Sequence, residues 1–228
     1  MMPKKTKAIK KTDIKANKPW LKKRKPSEYK IEIDEPNKTI LIVCEGQTEE
    51  LYFKSFPVIS MNVEAIGLGQ SKLKLVESAE AIQKQENYDV VWCVFDMDIK
   101  KDEVNCETDY NNAIKKAKKL GYNVAYSNDA FELWFYLHYQ YTDQENHRKF
   151  YYKQLSNLWD LNYEKHGKER KFSLKIYNIL EKDEKASQTK AIERADKLFK
   201  DQKELEYHKQ NPVTLVYELV KILNDNLR

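Results

Sequence analysis

Two stretches of the chain run from unbroken hydrophobe straight into acid. Ile40-Leu41-Ile42-Val43-Cys44 continues as Glu45-Gly46-Gln47-Thr48-Glu49-Glu50, and Val90-Val91-Trp92-Cys93-Val94-Phe95 continues as Asp96-Met97-Asp98. Apolar, β-branched runs without alternation mark strands buried on both faces, as in a parallel sheet. The pattern predicts strands over 39–44, 63–66, 89–95 and 122–127. Helical spacing between them predicts helices over 48–56, 71–85 and 108–120, with Thr48 capping the first and Glu49 and Glu50 in its first turn. Residues 130–138 read as an intensely apolar helix. Regular alternation of strand and helix predicts an α/β fold: a parallel sheet flanked by helices, joined by right-handed crossovers.

Past Tyr139 the strand signal fades, and helical spacing returns near 149–160, 171–181, 186–203 and 212–227. Val213, Val216, Tyr217, Val220 and Leu223 mark one face of the last of these, with Pro212 suited to its first turn. Three regions follow: a basic flexible tail over 1–36, an α/β domain over 37–140, and a helical extension over 141–228 packed on it.

Composition narrows the function. The 228 residues are 41% hydrophobic and 34% charged, which fits one good core under a wet surface. No apolar run approaches the roughly 20 residues that span a bilayer, and no apolar leader opens the chain, so a cytoplasmic protein without a membrane segment is expected. Cys44, Cys93 and Cys106 lack C-x-x-C spacing and suit a reducing compartment. Four scattered histidines argue against a His-built metal site. Charge is uneven. Residues 1–30 hold eleven Lys and Arg24 against Asp13 and Glu28, so +10 of a whole-chain +5 lies there and the rest is −5. The tail, with Lys22, Lys23, Arg24 and Lys25 at its densest point, is either a non-specific attractor of nucleic-acid phosphates or a solubilising segment.

The acids that end the strands carry the candidate chemistry. In an open parallel sheet the C-terminal strand ends share one edge, where ligands bind. Glu45 follows the first strand there, and Asp96 and Asp98 follow the third. Residues two apart on an extended strand project to one side, roughly 6.6 Å apart, so Asp96 and Asp98 are expected to face one centre with Glu45. Gly46 is expected to let the backbone turn sharply toward a phosphate. Crowded carboxylates with no other ligand type suit a hard divalent ion, Mg²⁺ or Mn²⁺. Taken singly, each acid also reads as a turn residue or a helix-end charge. The D-x-D stands after the third strand and not the first, unlike phosphatases that use it as a nucleophile. No G-x-x-x-x-G-K-[ST] loop, Ser-His-Asp set or Cys-His pair is present, and none of the fifteen tyrosines stands out as a nucleophile. Glu132 is the only acid between Ala130 and Tyr139. It either closes a capping box with Asp129 or points across the rim toward the metal.

The motifs Ile42-Val43-Cys44-Glu45-Gly46-Gln47-Thr48-Glu49, Phe95-Asp96-Met97-Asp98 and Ser127-Asn128-Asp129-Ala130-Phe131-Glu132-Leu133-Trp134 resemble those of the RloB-like family. That family looks Toprim-related, sharing a fold with topoisomerases, primases and overcoming-lysogenization-defect nucleases. The resemblance spans 38 to about 225, and Asp129 stands where many relatives have Pro. It implies a Mg²⁺- or Mn²⁺-dependent nuclease acting on RNA or DNA in bacterial anti-phage defence, beside an ABC- or AAA-type ATPase partner. The expected roles are metal binding by Asp96 and Asp98, base or second-metal ligation by Glu45, a second-metal ligand in Glu49, and a catalytic contribution from Glu132. The competing class is a non-catalytic Mg²⁺-binding module that holds nucleic acid or a partner under ATPase control.

Overall fold

The computed structural model describes residues 38–69, 71–98 and 106–227, and Asn37–Arg228 forms a compact unit of its own. The expectation for Lys22, Lys23, Arg24 and Lys25 lies outside the described residues. Within them the strands are β1 (Lys38–Cys44), β2 (Met61–Gly67), β3 (Val90–Asp96), β4 (Asn123–Asn128) and β5 (Val213–Thr214), in the order β2-β1-β3-β4-β5. The first four pair in parallel, and β5 pairs antiparallel with β4. The sheet is therefore mixed. Pro212, expected inside a helix, instead precedes β5, which the apolar spacing alone had assigned to the same helix.

Ile40 to Cys44 and Val91 to Phe95 are buried throughout, as strands covered on both faces must be. The helices joining the parallel strands are α1 (Gln47–Lys54), α2 (Lys72–Gln85) and α3 (Cys106–Lys119). The strand order turns back after β2, so right-handed crossovers send α1 to one face and α2 and α3 to the other. Accordingly α2 packs on α3. On the opposite face α1 meets α4 (Glu132–Leu137) through aromatic rings: Tyr52 stands edge-on to Phe131 and Phe135, with centroids 6.0 and 5.4 Å apart. Trp134 Nε1 donates to the Tyr52 hydroxyl at 2.8 Å, satisfying a buried polar pair inside that cluster.

The remaining helices cover the α1–α4 face and the β5 edge. They are α5 (Arg148–Trp159), α6 (Tyr163–His166), α7 (Arg170–Ser173), α8 (Ile176–Lys182), α9 (Gln188–Gln202) and α10 (Val216–Asn224). The helix expected over 171–181 is two, because the chain breaks between Ser173 and Ile176. Thr48 does not cap α1. Gly46 occupies that position, and the Thr48 hydroxyl lies inside the helix, 3.3 Å from the Ser173 hydroxyl of α7.

Candidate functional site

Parallel register brings the acids together. Cys44 stands opposite Val94 and Asp96 opposite Ser127, so β1, β3 and β4 end level at one rim. Glu45 leaves β1, Asp96 ends β3, and Asp129 and Glu132 follow β4.

Glu45 reaches across to β3. Its Oε2 accepts the Asp96 backbone N–H at 3.2 Å, and its Oε1 lies 3.8 Å from Nζ of Lys72, a buried residue that opens α2. Burial raises the Glu45 pKa. Lys72 and the Asp96 amide pull it back, Asp98 pushes it up and Arg148 lowers it again. Glu49 lies in the first turn of α1, buried, with its pKa pushed up to about 7. Burial dominates, its own backbone N–H opposes it, Glu132 and Glu45 add repulsion, and Lys168 relieves some of it. Gly46 explains how that side chain fits. Its φ of −120° is ordinary extended backbone, so no glycine-only turn exists there. A Cβ on it would instead stand 2.5 Å from Glu49 Oε2, so the absence of a side chain is what admits the carboxylate.

Asp96 and Asp98 converge, but not as neighbours on an extended strand. Asp96 is the last residue of β3, whereas Asp98 has left the strand and sits at φ +46°, a left-handed conformation that Asp tolerates better than most residues. The Asp98 amide donates to the Asp129 carbonyl at 3.2 Å, which turns the chain back over the end of β4. Asp96 is buried, and its Oδ1 has no hydrogen-bond partner. Its pKa is driven well up by burial first, then by Glu49, Glu45 and Glu132, with Arg148 opposing.

Arg148, the first residue of α5, enters this acidic cluster. Its Nη2 lies 2.9 Å from Asp98 Oδ1 and 3.9 Å from Asp96 Oδ2, and its Nε is 3.8 Å from Asp129 Oδ2. Asp129 Oδ2 also accepts the Arg148 backbone N–H at 2.8 Å, so this carboxylate binds the start of α5. The capping-box reading of Asp129 and Glu132 is thereby corrected: Phe131 holds the cap position of α4, with no side-chain cap bond. Glu132 is buried, and its Oε1 accepts the Tyr163 hydroxyl at 3.2 Å and lies 3.6 Å from Lys168 Nζ. Burial lowers the Lys168 pKa, but Glu132, the Tyr152 hydroxyl and Asp96 outweigh it and the net shift is upward.

The rim therefore assembles Glu45, Glu49, Asp96, Asp98, Asp129 and Glu132, interleaved with Lys72, Arg148 and Lys168. The four acids that the sequence singled out as ligands stand around one another, and Glu132 joins them electrostatically through Asp96 and Glu49. The three cations went unread, as did the part played by Asp129. A signal for Arg148 was present: in a chain with 41 Lys and Arg only five are Arg, and an Arg opening a helix downstream of D-x-D suits the forked recognition of carboxylates.

Oxygen-only donors match Mg²⁺ or Mn²⁺, and the partnerless Asp96 Oδ1 offers a coordinating atom. No three His, Cys, Asp or Glu side chains among the described residues are already gathered as a metal cluster, and the Arg148 guanidinium lies between Asp96 and Asp98. The residues fit a divalent ion in donor type. Binding one requires the carboxylates to close in and Arg148 to yield.

Residues 40–223 match the family model described as RloB-like protein. No curated protein and no solved structure matches the chain. No helix among the described residues is long and apolar enough to cross a membrane.

Proposed function

The chain belongs to the RloB-like family, and on that footing we propose that it is a metal-dependent nuclease that hydrolyses phosphodiester bonds of RNA or DNA. We place it in the cytoplasm, in bacterial anti-phage defence beside an ABC- or AAA-type ATPase, with a Toprim-related site. One observation carries the reading. Asp96 is buried at the end of a central strand, its pKa is driven up by three neighbouring acids, and one of its oxygens has no partner. Such a carboxylate is costly unless a cation joins it, and strongly perturbed acids gather where chemistry is done.

Asp96 and Asp98 are the residues that would hold Mg²⁺ or Mn²⁺, with Glu45 and Glu49 available to a second ion. The bound metal supplies polarisation of the phosphate and acidifies an attacking water. Glu45 is the general base. The Asp96 amide and Lys72 fix its carboxylate in place, and its raised pKa suits it to take a proton near neutral pH. Lys168 keeps about half of its side chain exposed beside Glu132 and is placed to meet a phosphate from solvent. Lys22, Lys23, Arg24 and Lys25 add non-specific attraction to the nucleic-acid backbone.

The alternative, a non-catalytic module that binds nucleic acid or a partner, draws support from the three built-in cations that already offset much of the acidic charge. The test is incubation of the full chain with RNA and with single-stranded DNA, in Mg²⁺, in Mn²⁺ and in EDTA. Cleavage that stops in EDTA and in Asp96→Asn supports the nuclease. Uncut nucleic acid in a stable complex supports the module.

A further inference from the structure

Away from the rim, α1, α4, α8, α9 and α10 contribute to a cavity of about 290 Å³ whose polar lining includes Tyr52, His138, Tyr177, Glu181, Gln188 and Asn224. His138 caps the C-terminal end of α4, six residues beyond Glu132, which is about 9 Å along a helix axis. The cavity is thus separate from the acidic cluster.

Two buried acceptors lack partners there. His138 is 1% exposed, and its Nδ1 lies 2.9 Å from the Trp134 carbonyl oxygen. A carbonyl only accepts, so Nδ1 carries the proton and Nε2 presents a lone pair, which has no hydrogen-bond partner. Burial, the largest influence on this ring, keeps it neutral, with a pKa lowered to about 4. Asn224 donates through Nδ2 to Gln188 Oε1 at 2.7 Å, and its Oδ1 is likewise buried without a partner. Native interiors rarely leave two such atoms beside one cavity, because each forfeits the hydrogen bond it made with water.

The lining also says what kind of ligand belongs. It includes no Lys or Arg, and its one charged side chain is Glu181. That disfavours phosphates and carboxylates and favours a donor of N–H groups. The aromatic rings of Tyr52 and Tyr177 attract positive charge, and the volume equals about ten water molecules.

We propose that this cavity is a binding site for a small organic cation of the amine or guanidine class, which donates N–H to His138 Nε2 and Asn224 Oδ1 and turns its charge toward Glu181. The site stands independently of the nuclease reading.

Agmatine, which carries both an amine and a guanidine, is the probe, titrated calorimetrically into the full chain without nucleic acid. Adenosine monophosphate serves as the anionic control. The expected result is saturable agmatine binding at one site, no binding of the monophosphate, and an upfield ¹⁵N shift of His138 Nε2. Asn224→Leu should weaken agmatine by about tenfold, the order expected for one lost hydrogen bond. Glu181→Gln, an exposed change that leaves the core intact, carries the same comparison should Asn224→Leu fail to fold. Heats no different from buffer, equal affinity in the variants, or equal binding of the monophosphate would each overturn the site and leave a solvent-filled cavity.

Discussion

The Arg148 guanidinium stands 2.9 Å from the Asp98 carboxylate. The same planar group also approaches Asp96 at 3.9 Å and Asp129 at 3.8 Å, yet its Nε makes no hydrogen bond. Arg148 thus works as an internal counter-ion for an acidic cluster that would otherwise repel itself. A divalent ion drawn to Asp96 and Asp98 has to compete with it for the same oxygens.

Replacing Arg148 by Ala removes that competitor. Mn²⁺ affinity, followed by electron paramagnetic resonance of the free ion, should rise by about tenfold, since a charge-assisted contact is worth roughly 1.5–3 kcal/mol. The metal-free variant should melt lower than the parent, because its carboxylates lose their cation, and Mn²⁺ should restore the difference. Equal or weaker affinity in Arg148→Ala would mean that the guanidinium and the metal do not share a place.

Asp96 and Asp98 should respond differently to amidation. Asp96 has a raised pKa, so its ionised form costs stability at any pH above that value. Asp96→Asn should therefore be at least as stable as the parent near neutral pH and equal to it below about pH 4, where both states are protonated. Asp98 makes the shortest contact to Arg148, and Asp98→Asn should cost about 1–3 kcal/mol. Urea unfolding at two pH values checks both. Metal-dependent cleavage should fall at least a hundredfold in either variant, and full activity in Asp96→Asn would remove it from the metal centre.

The sheet and the rim were legible because both follow from short-range pattern. Unbroken apolar runs such as Ile40 to Cys44 need two covered faces, and parallel strands necessarily end together, so Glu45 and Asp96 had to meet. Two-residue β5 was not legible, since Val213 and Thr214 are too few to show a period and Val213 also fits the helical stripe of α10. Nor was the backbone turn at Asp98, where the left-handed conformation replaces the assumed extended one. The counter-ions Lys72, Arg148 and Lys168 come from three separate elements, and only tertiary packing selects them from 41 cationic side chains.

His138 makes a pH signature separable from the rim. Its pKa is about 4 when folded against an ordinary value of 6.5, chiefly through burial, with the Trp134 carbonyl raising it and Arg194 lowering it. The unfolded chain therefore takes up the proton first. Stability is unaffected above about pH 6.5, falls as pH drops from there to about 4, and levels off below, by about 3 kcal/mol in all. His138→Phe should lose this component, so its stability difference from the parent should shrink or reverse between pH 7 and pH 4. Parallel pH curves for the two proteins would show that the ring is not buried in its neutral form.

Glu132→Gln separates holding the fold from doing chemistry. The Glu132 carboxylate accepts the Tyr163 hydroxyl, and Gln keeps an acceptor oxygen for that bond. What Gln loses is the charge facing Lys168 at 3.6 Å, and that lysine is half exposed, so solvent screens much of the pair. Removing a buried charge also relieves the repulsion that Glu132 exerts on Asp96 and Glu49. These terms oppose each other, and thermal stability should stay within about 1 kcal/mol of the parent. Because Glu132 raises both pKa values, its replacement should lower the Glu49 pKa from about 7, which ¹³C-carboxyl titration can follow. Cleavage should fall strongly, since Lys168 is no longer anchored beside the phosphate path and the rim has lost a charge that attracts the metal. A folded Glu132→Gln protein with full activity and an unmoved Glu49 titration would reduce Glu132 to a partner of Tyr163 alone.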